Sequence, residues 1–104
     1  MTTSSANSVK GLLGDLGDAL FNQAVWEKGH AVEGWDKGTW RQDDYGNWLK
    51  RWEHNNQDSP FGWHADHILP KALGGSDDLS NRRPLLCRKN TDLGSALGHI
   101  LSKG

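Results

Sequence analysis

The stretch from Gly62 to Asn90 holds the side chains best suited to chemistry. Asp66 and His67 stand side by side, Asn81 follows 14 residues after His67, and Asn90 nine residues later. A carboxylate and an amide are hard oxygen donors, and together they suit a divalent cation such as Mg²⁺ or Mn²⁺. An adjacent imidazole that is not needed as a ligand titrates near neutrality and suits a general base. A strand, loop, strand and helix of this total length fold back on themselves. The end of the first strand then meets the start of the helix, and Asp66, His67 and Asn90 converge.

Basic residues gather in the same segment. Residues 81–90 contain Arg82, Arg83, Arg88 and Lys89 with no acid, and Lys71 lies in the preceding loop. Four or five phosphate contacts from such a group would give salt-sensitive nucleic-acid binding, with Lys50 and Arg51 extending the surface. The alternative is a solvated basic edge balanced by Asp77-Asp78. His64 lies two residues before Asp66, so strand alternation puts both on one face. It is an auxiliary candidate for a metal or phosphate contact, against the plainer reading of an exposed or internally bonded histidine. His30, His54 and His99 are assigned no role.

Several elements must position these groups. Apolar residues at Val9, Leu12, Leu13, Leu16, Leu20 and Ala24 recur at helical spacing and predict a helix from about Ser8 to Val25, its stripe facing the core. Gly11, Gly14 and Gly17 weaken its propensity, so packing must hold it. Residues 1–7 read as a disordered tail. Trp40–Gln42 and Asn47–Trp52 read as short strands around Asp43-Asp44-Tyr45-Gly46, with glycine where a turn favours positive φ. His54–Pro60 is a polar loop. Phe61–Ile68 is a strand stopped by Pro70, 71–80 a long turn, and Arg83–Leu86 a strand. A last helix, Arg88–Ser102, carries Leu93, Leu97, Ile100 and Leu101 on one face. The whole reads as one α+β domain over residues 8–104.

The run Asp66-His67-Ile68-Leu69-Pro70, then Gly74-Gly75-Ser76-Asp77-Asp78-Leu79-Ser80-Asn81, Arg83-Pro84-Leu85 and Asn90, resembles the HNH endonucleases of the ββα-metal fold, in their Asp-His…Asn…Asn form. Arg41, Asp43, Gly46 and Trp48, with Ser59, Phe61, Gly62 and Trp63, extend the resemblance to small stand-alone members, over roughly half the chain. A lone Asp-His pair is most simply a strand-end cap; the ordered motifs at these gaps give it its meaning. The resemblance implies a ββα-metal (HNH) core over residues 61–101, with an extra N-terminal helix and β-hairpin. His67 would be the general base that deprotonates the attacking water. Asp66 and Asn90 would hold one divalent cation, which acts as Lewis acid on the phosphate and the leaving 3′-oxygen. Asn81 would be structural, bonding across the long turn to fix the backbone that presents His67. The expected substrate is DNA, most simply double-stranded, and the expected activity nicking or double-strand cleavage. The protein would act as a monomer or homodimer.

The chain departs from the family pattern at Arg82, Leu86 and Lys89, where relatives of this subtype often carry leucine, histidine, and asparagine or cysteine. Asp92 also weakens the positive field at the helix start. These changes spare the expected base and ligands and bear on rate and affinity. Two other readings share the site: a weak or inactive module that binds nucleic acid or a partner protein, and a nuclease toxin domain restrained by an immunity or regulatory protein.

Composition narrows the classes. The 104 residues carry 12 Lys+Arg and 13 Asp+Glu, a formal net charge of -1, which excludes a uniformly basic nucleic-acid coat. A single cysteine, Cys87, excludes an intramolecular disulfide and any site built on several thiolates, so no structural zinc knuckle is expected. The hairpin turn at residues 43–46 with its tryptophans is expected to replace that knuckle. Apolar residues make up only 35%, but six tryptophans supply large areas for a core. The N-terminal residues show no signal-peptide pattern, and a cytoplasmic location is expected.

Overall fold

The computed structural model describes the backbone from Thr2 to Arg88 and the side chains from Gly11 onward. It is α+β: one long helix and two small antiparallel sheets. Helix α1 spans Thr2–Trp26. Strands β1, Trp40–Gln42, and β2, Trp48–Lys50, pair with Trp40 opposite Lys50 and Gln42 opposite Trp48. Strands β3, Trp63–His67, and β4, Arg82–Leu86, pair with Trp63 opposite Leu86, Asp66 opposite Arg83 and His67 opposite Arg82. Single turns of 3₁₀ helix follow β2 at Arg51–Glu53 and punctuate the long connection at Lys71–Leu73 and Leu79–Asn81. The predicted helix of 88–102 lies, from Lys89 on, outside the described residues, as does the corresponding part of the 61–101 core.

Helix α1 begins six residues before the expected start and takes up the segment read as a tail; residues 2–10 contain neither glycine nor proline to interrupt it. Its C-terminus is closed from β1. Arg41 Nη1 donates to the carbonyls of Glu27 and Gly29 at 3.0 Å, filling acceptors that a helix end leaves open. Lys28 Nζ reaches the carbonyls of Leu79 and Arg82, tying the same end to β4.

The core lies where the helix end meets both sheets. Val25, Trp26, Leu49 and Trp63 are fully buried, with Phe21, Ala65 and Leu86 packed around them. The Trp26 and Trp63 rings sit 5.4 Å apart, and each indole N–H finds a backbone carbonyl, Lys37 for Trp26 and Lys50 for Trp63. Trp35, Trp40, Trp48 and Phe61 form a second, edge-to-face cluster on the hairpin. The expectation that the leucine stripe of α1 faces this core is corrected. Leu12, Leu13, Leu16 and Leu20 are all more than half exposed. The helix docks through Phe21, Val25 and Trp26, whose bulk buries more surface per residue and selects a different side of the cylinder.

One buried carboxylate joins the two sheets. Asp43 is 2% exposed. Its Oδ1 accepts from the Tyr45 and Asn47 amides, and its Oδ2 from Asn47 Nδ2 and the Leu86 amide, at 2.9–3.1 Å. The first three bonds shape the turn, where Gly46 has φ 82° as its position requires; the fourth fastens the turn to β4. Replacing Asp43 by alanine strands these donors in a closed site, each at a cost of about 1–3 kcal/mol where water cannot enter. Asp43→Ala is therefore expected to lose about 3 kcal/mol or more of stability, measured by urea unfolding.

Candidate active site

Asp66 and His67 end β3 and project to opposite faces of the strand. Directly across from Asp66 stands Arg83, whose Nε donates to Asp66 Oδ2 at 3.0 Å. Its Nη1 bonds Asp44 Oδ2 at 3.3 Å, and Asp44 Oδ1 meets His30 Nε2 at 2.7 Å. The guanidinium lies over the Tyr45 ring, 5.5 Å from its centroid. Burial works to lower the Arg83 pKa, but the Asp66 carboxylate and the Tyr45 hydroxyl outweigh it and raise it. The His30 hydrogen bond, helped by Arg83, holds the Asp44 carboxyl below the usual carboxylate range.

His67 is 25% exposed and faces the long connection, where its Nε2 meets Asp77 Oδ1 at 2.7 Å. Asp77 Oδ2 also takes a bond from Lys71 Nζ at 3.1 Å. The His67 bond first, then Lys71, lowers the Asp77 pKa. With the ring proton on Nε2 facing this carboxylate, Nδ1 is the nitrogen left to accept a proton.

The connection itself is clamped by Asn81. Its Oδ1 accepts from the Leu69 amide at 2.8 Å, and its Nδ2 donates to the carbonyls of Leu69 and Ser76 at 3.0 and 2.8 Å. The Asn81 carbonyl takes the Ile68 amide at 2.9 Å. Both ends of the loop are thus fastened next to His67, as expected for a residue bonding across the turn. Gly75 completes the clamp by close approach: a Cβ there would stand 1.7 Å from the Leu69 carbonyl oxygen.

The basic residues separate. Arg82 turns inward, donating to the carbonyls of Ala65 at 2.8 Å and Asp77 at 3.3 Å, with its guanidinium over the Phe21 ring. Arg83 is held between two carboxylates, and Lys71 is 62% exposed although paired with Asp77. Arg88 is exposed two residues beyond β4. Lys89 and the expected ligand Asn90 lie outside the described residues. His64 is bonded elsewhere: its Nδ1 meets Asn55 Oδ1 at 3.0 Å, and it lines an open groove of about 380 Å³ with His54, Asp18 and Arg82. Asn55 holds the left-handed backbone, φ 61°, that asparagine tolerates better than most residues.

Among the described residues no group of three or more His, Cys, Asp or Glu side chains is placed to hold a metal ion. Of the expected ligand pair only Asp66 lies among the described residues; it is 15% exposed, a hard oxygen donor of the kind a divalent cation takes, with its Oδ2 engaged by Arg83. The sequence reading missed Asp77 and Asp44 as partners of His67 and Arg83. Asp77 stands in the sequence as part of the Gly-Gly-Ser-Asp-Asp motif and of an acidic turn, and neither reading gives it a partner. Among the described residues no helix is long and apolar enough to cross a membrane. Comparison of the chain with protein-family models, with curated proteins and with solved structures returned no match.

The groove has its own pH signature. The His54 ring lies 4.4 Å from that of Trp63. Burial, then the nearby charges of Arg51 and His64, lowers its pKa below the ordinary 6.5. Between the two values the unfolded chain binds more protons than the folded one, so stability rises with pH. His54 stabilises fully above about pH 6.5, and this contribution is lost as pH falls below it. The urea midpoint is expected to drop from pH 7 to pH 5, and to drop less in His54→Phe, which keeps a ring on Trp63 without titrating.

Proposed function

We propose that the chain is a metal-dependent endonuclease of the ββα-metal type that hydrolyses phosphodiester bonds in DNA. The observation that carries this reading is the 2.7 Å His67–Asp77 pair on a strand end clamped by Asn81, with Asp66 next in sequence on the opposite face. An imidazole so held is ready to take a proton from water attacking phosphorus. Asp77 orients the ring and balances its charge afterwards. Asp66, with Asn90, would hold the Mg²⁺ or Mn²⁺, whose chemistry when bound is Lewis-acid stabilisation of the phosphate and the leaving 3′-oxygen. The β3–β4 hairpin offers two strands for such a core, and the helix expected from the sequence of 88–102 would complete it. The Asp43 turn does the fastening for which many relatives use a zinc knuckle. Exposed Lys71 and Arg88, with Lys89, are the basic groups best placed by exposure and sequence for phosphate contacts, a backbone grip that carries no base readout.

One observation favours a second reading. Arg83 already neutralises Asp66, and Arg82 is committed inside the protein. A module with its cations so engaged is suited to binding nucleic acid or a regulatory protein without cleaving.

Supercoiled-plasmid cleavage by the purified protein, with Mg²⁺, Mn²⁺ or chelator, separates the two. The nuclease reading predicts metal-dependent nicking that falls about 10²-fold or more in His67→Ala while the near-ultraviolet signature of the tryptophans is unchanged. Undiminished cleavage by the folded variant contradicts the assigned base. A folded wild-type protein that retards DNA but cleaves with no metal supports the binding module.

A further inference from the structure

The groove bounded by α1, β3 and β4 takes no part in the proposed proton transfer. Its volume, about 380 Å³, lies within the range of about 300–1,000 Å³ that small-molecule sites occupy. Asp18 and Asn22, one turn apart on α1, line it together with His54, Asn55, His64 and Arg82. Several hydrogen-bonding atoms there are unengaged among the described residues. His64 Nδ1 meets Asn55 Oδ1, so Nδ1 carries the ring proton and Nε2 is left as an acceptor. Asn55 Nδ2 is left as a donor. Arg82 uses Nε and Nη1 on the carbonyls of Asp77 and Ala65, which leaves Nη2. Among the described residues the side chains of Asp18 and Asn22 make no bond, and no ion pair joins Asp18 to Arg82 although both line the groove.

We infer that this groove receives an unpaired nucleobase of the strand whose phosphate His67 faces. The inference rests on the nuclease reading and names the form of nucleic acid that the site takes. Charge disfavours a phosphate in the groove. The Arg82 and Asp18 charges cancel, and His54, whose pKa is lowered by burial and then by Arg51 and His64, is neutral at pH 7. A phosphate would meet the Asp18 carboxylate with no positive charge in excess. The edge of a nucleobase carries donors and acceptors together and no charge, which is what the unengaged atoms complement. Imidazole and guanidinium planes are also groups on which unstacked nucleobases rest, and the His54 ring is backed by Trp63 at 4.4 Å. Arg82 sets the groove next to His67. It stands opposite His67 in the β3–β4 pairing and bonds the carbonyl of Asp77, whose carboxylate holds the imidazole. A strand that presents a phosphate to His67 thus brings a neighbouring nucleotide to the groove. In a duplex the faces of that nucleotide are stacked and its pairing edge is occupied, so only an unpaired nucleobase enters.

Fluorescence anisotropy tests this with the full chain, in chelator so that nothing is cut, and a labelled DNA strand of about 12 nucleotides. The single strand is expected to bind about tenfold more tightly than its fully paired duplex. An abasic strand of the same length, which keeps every phosphate, is expected to bind as weakly as the duplex. Asn55→Gly removes the amide and keeps the left-handed backbone of φ 61°. It is expected to weaken the single strand about fivefold, to leave the duplex unchanged, and to keep the near-ultraviolet signature of the tryptophans. Should Asn55→Gly unfold, Asn22→Ala, expected to have the same effect, serves in its place. Equal binding of the three nucleic acids, or single-strand binding that a folded variant leaves undiminished, overturns the inference and leaves the nuclease reading standing. Failure to bind any of the three overturns the inference together with the nucleic-acid reading on which it rests.

Discussion

The arrangement depends on a carboxylate that water does not reach. Asp43 accepts four hydrogen bonds, three from its own turn and one from β4, and so joins two sheets that are too small to stand alone. A buried ionised group is tolerated only when its lone pairs are satisfied, so the turn can adopt little but the shape that satisfies them. That shape carries Asp44 and Tyr45 to the guanidinium of Arg83. The position of Arg83, in turn, sets what Asp66 faces. A structural constraint in a hairpin turn thereby reaches the candidate chemistry in two steps.

Opposite charges organise the rest of the site in pairs. Each of the two adjacent residues at the end of β3 has one principal partner of complementary character, Arg83 for Asp66 and Asp77 for His67, and they lie on opposite faces of the strand. The pairs differ in setting. Arg83 and Asp66 are 22% and 15% exposed, so their attraction is little screened, whereas Asp77 is 63% exposed and Lys71 shares it. The Asp66 pair is shielded on both members, whereas on the His67 side the carboxylate partner is open to solvent. That contrast suits a site in which one group holds charge in place and the other exchanges protons.

Much of this was legible in the sequence. The turn chemistry of residues 40–52 and 61–86 predicts four strands close to their observed positions, because short runs bounded by the Asp43-Asp44-Tyr45-Gly46 turn and by Pro70 leave few alternatives. Asn81 was readable as a clamp, because an asparagine at the end of a long turn has backbone groups within reach. The docking side of α1 was not legible. Hydrophobic spacing identifies a helix but not which apolar face the body takes, and Phe21 and Trp26 outweighed four leucines lying elsewhere on the cylinder. The carboxylate partners were hidden for another reason: pairing across 10 or 39 residues, as for His67 with Asp77 and Arg83 with Asp44, depends on loop geometry that composition does not encode.

The proposed chemistry has His67, on β3, direct water at a phosphodiester. It is tested most directly by cutting an end-labelled DNA duplex with the purified protein and Mn²⁺ in ¹⁸O-enriched water and weighing the fragments. Attack by water with departure of the 3′-oxygen predicts 3′-hydroxyl ends and 5′-phosphates carrying one ¹⁸O. Intact duplex after incubation with folded protein, or fragments whose phosphates carry no label, contradicts the account.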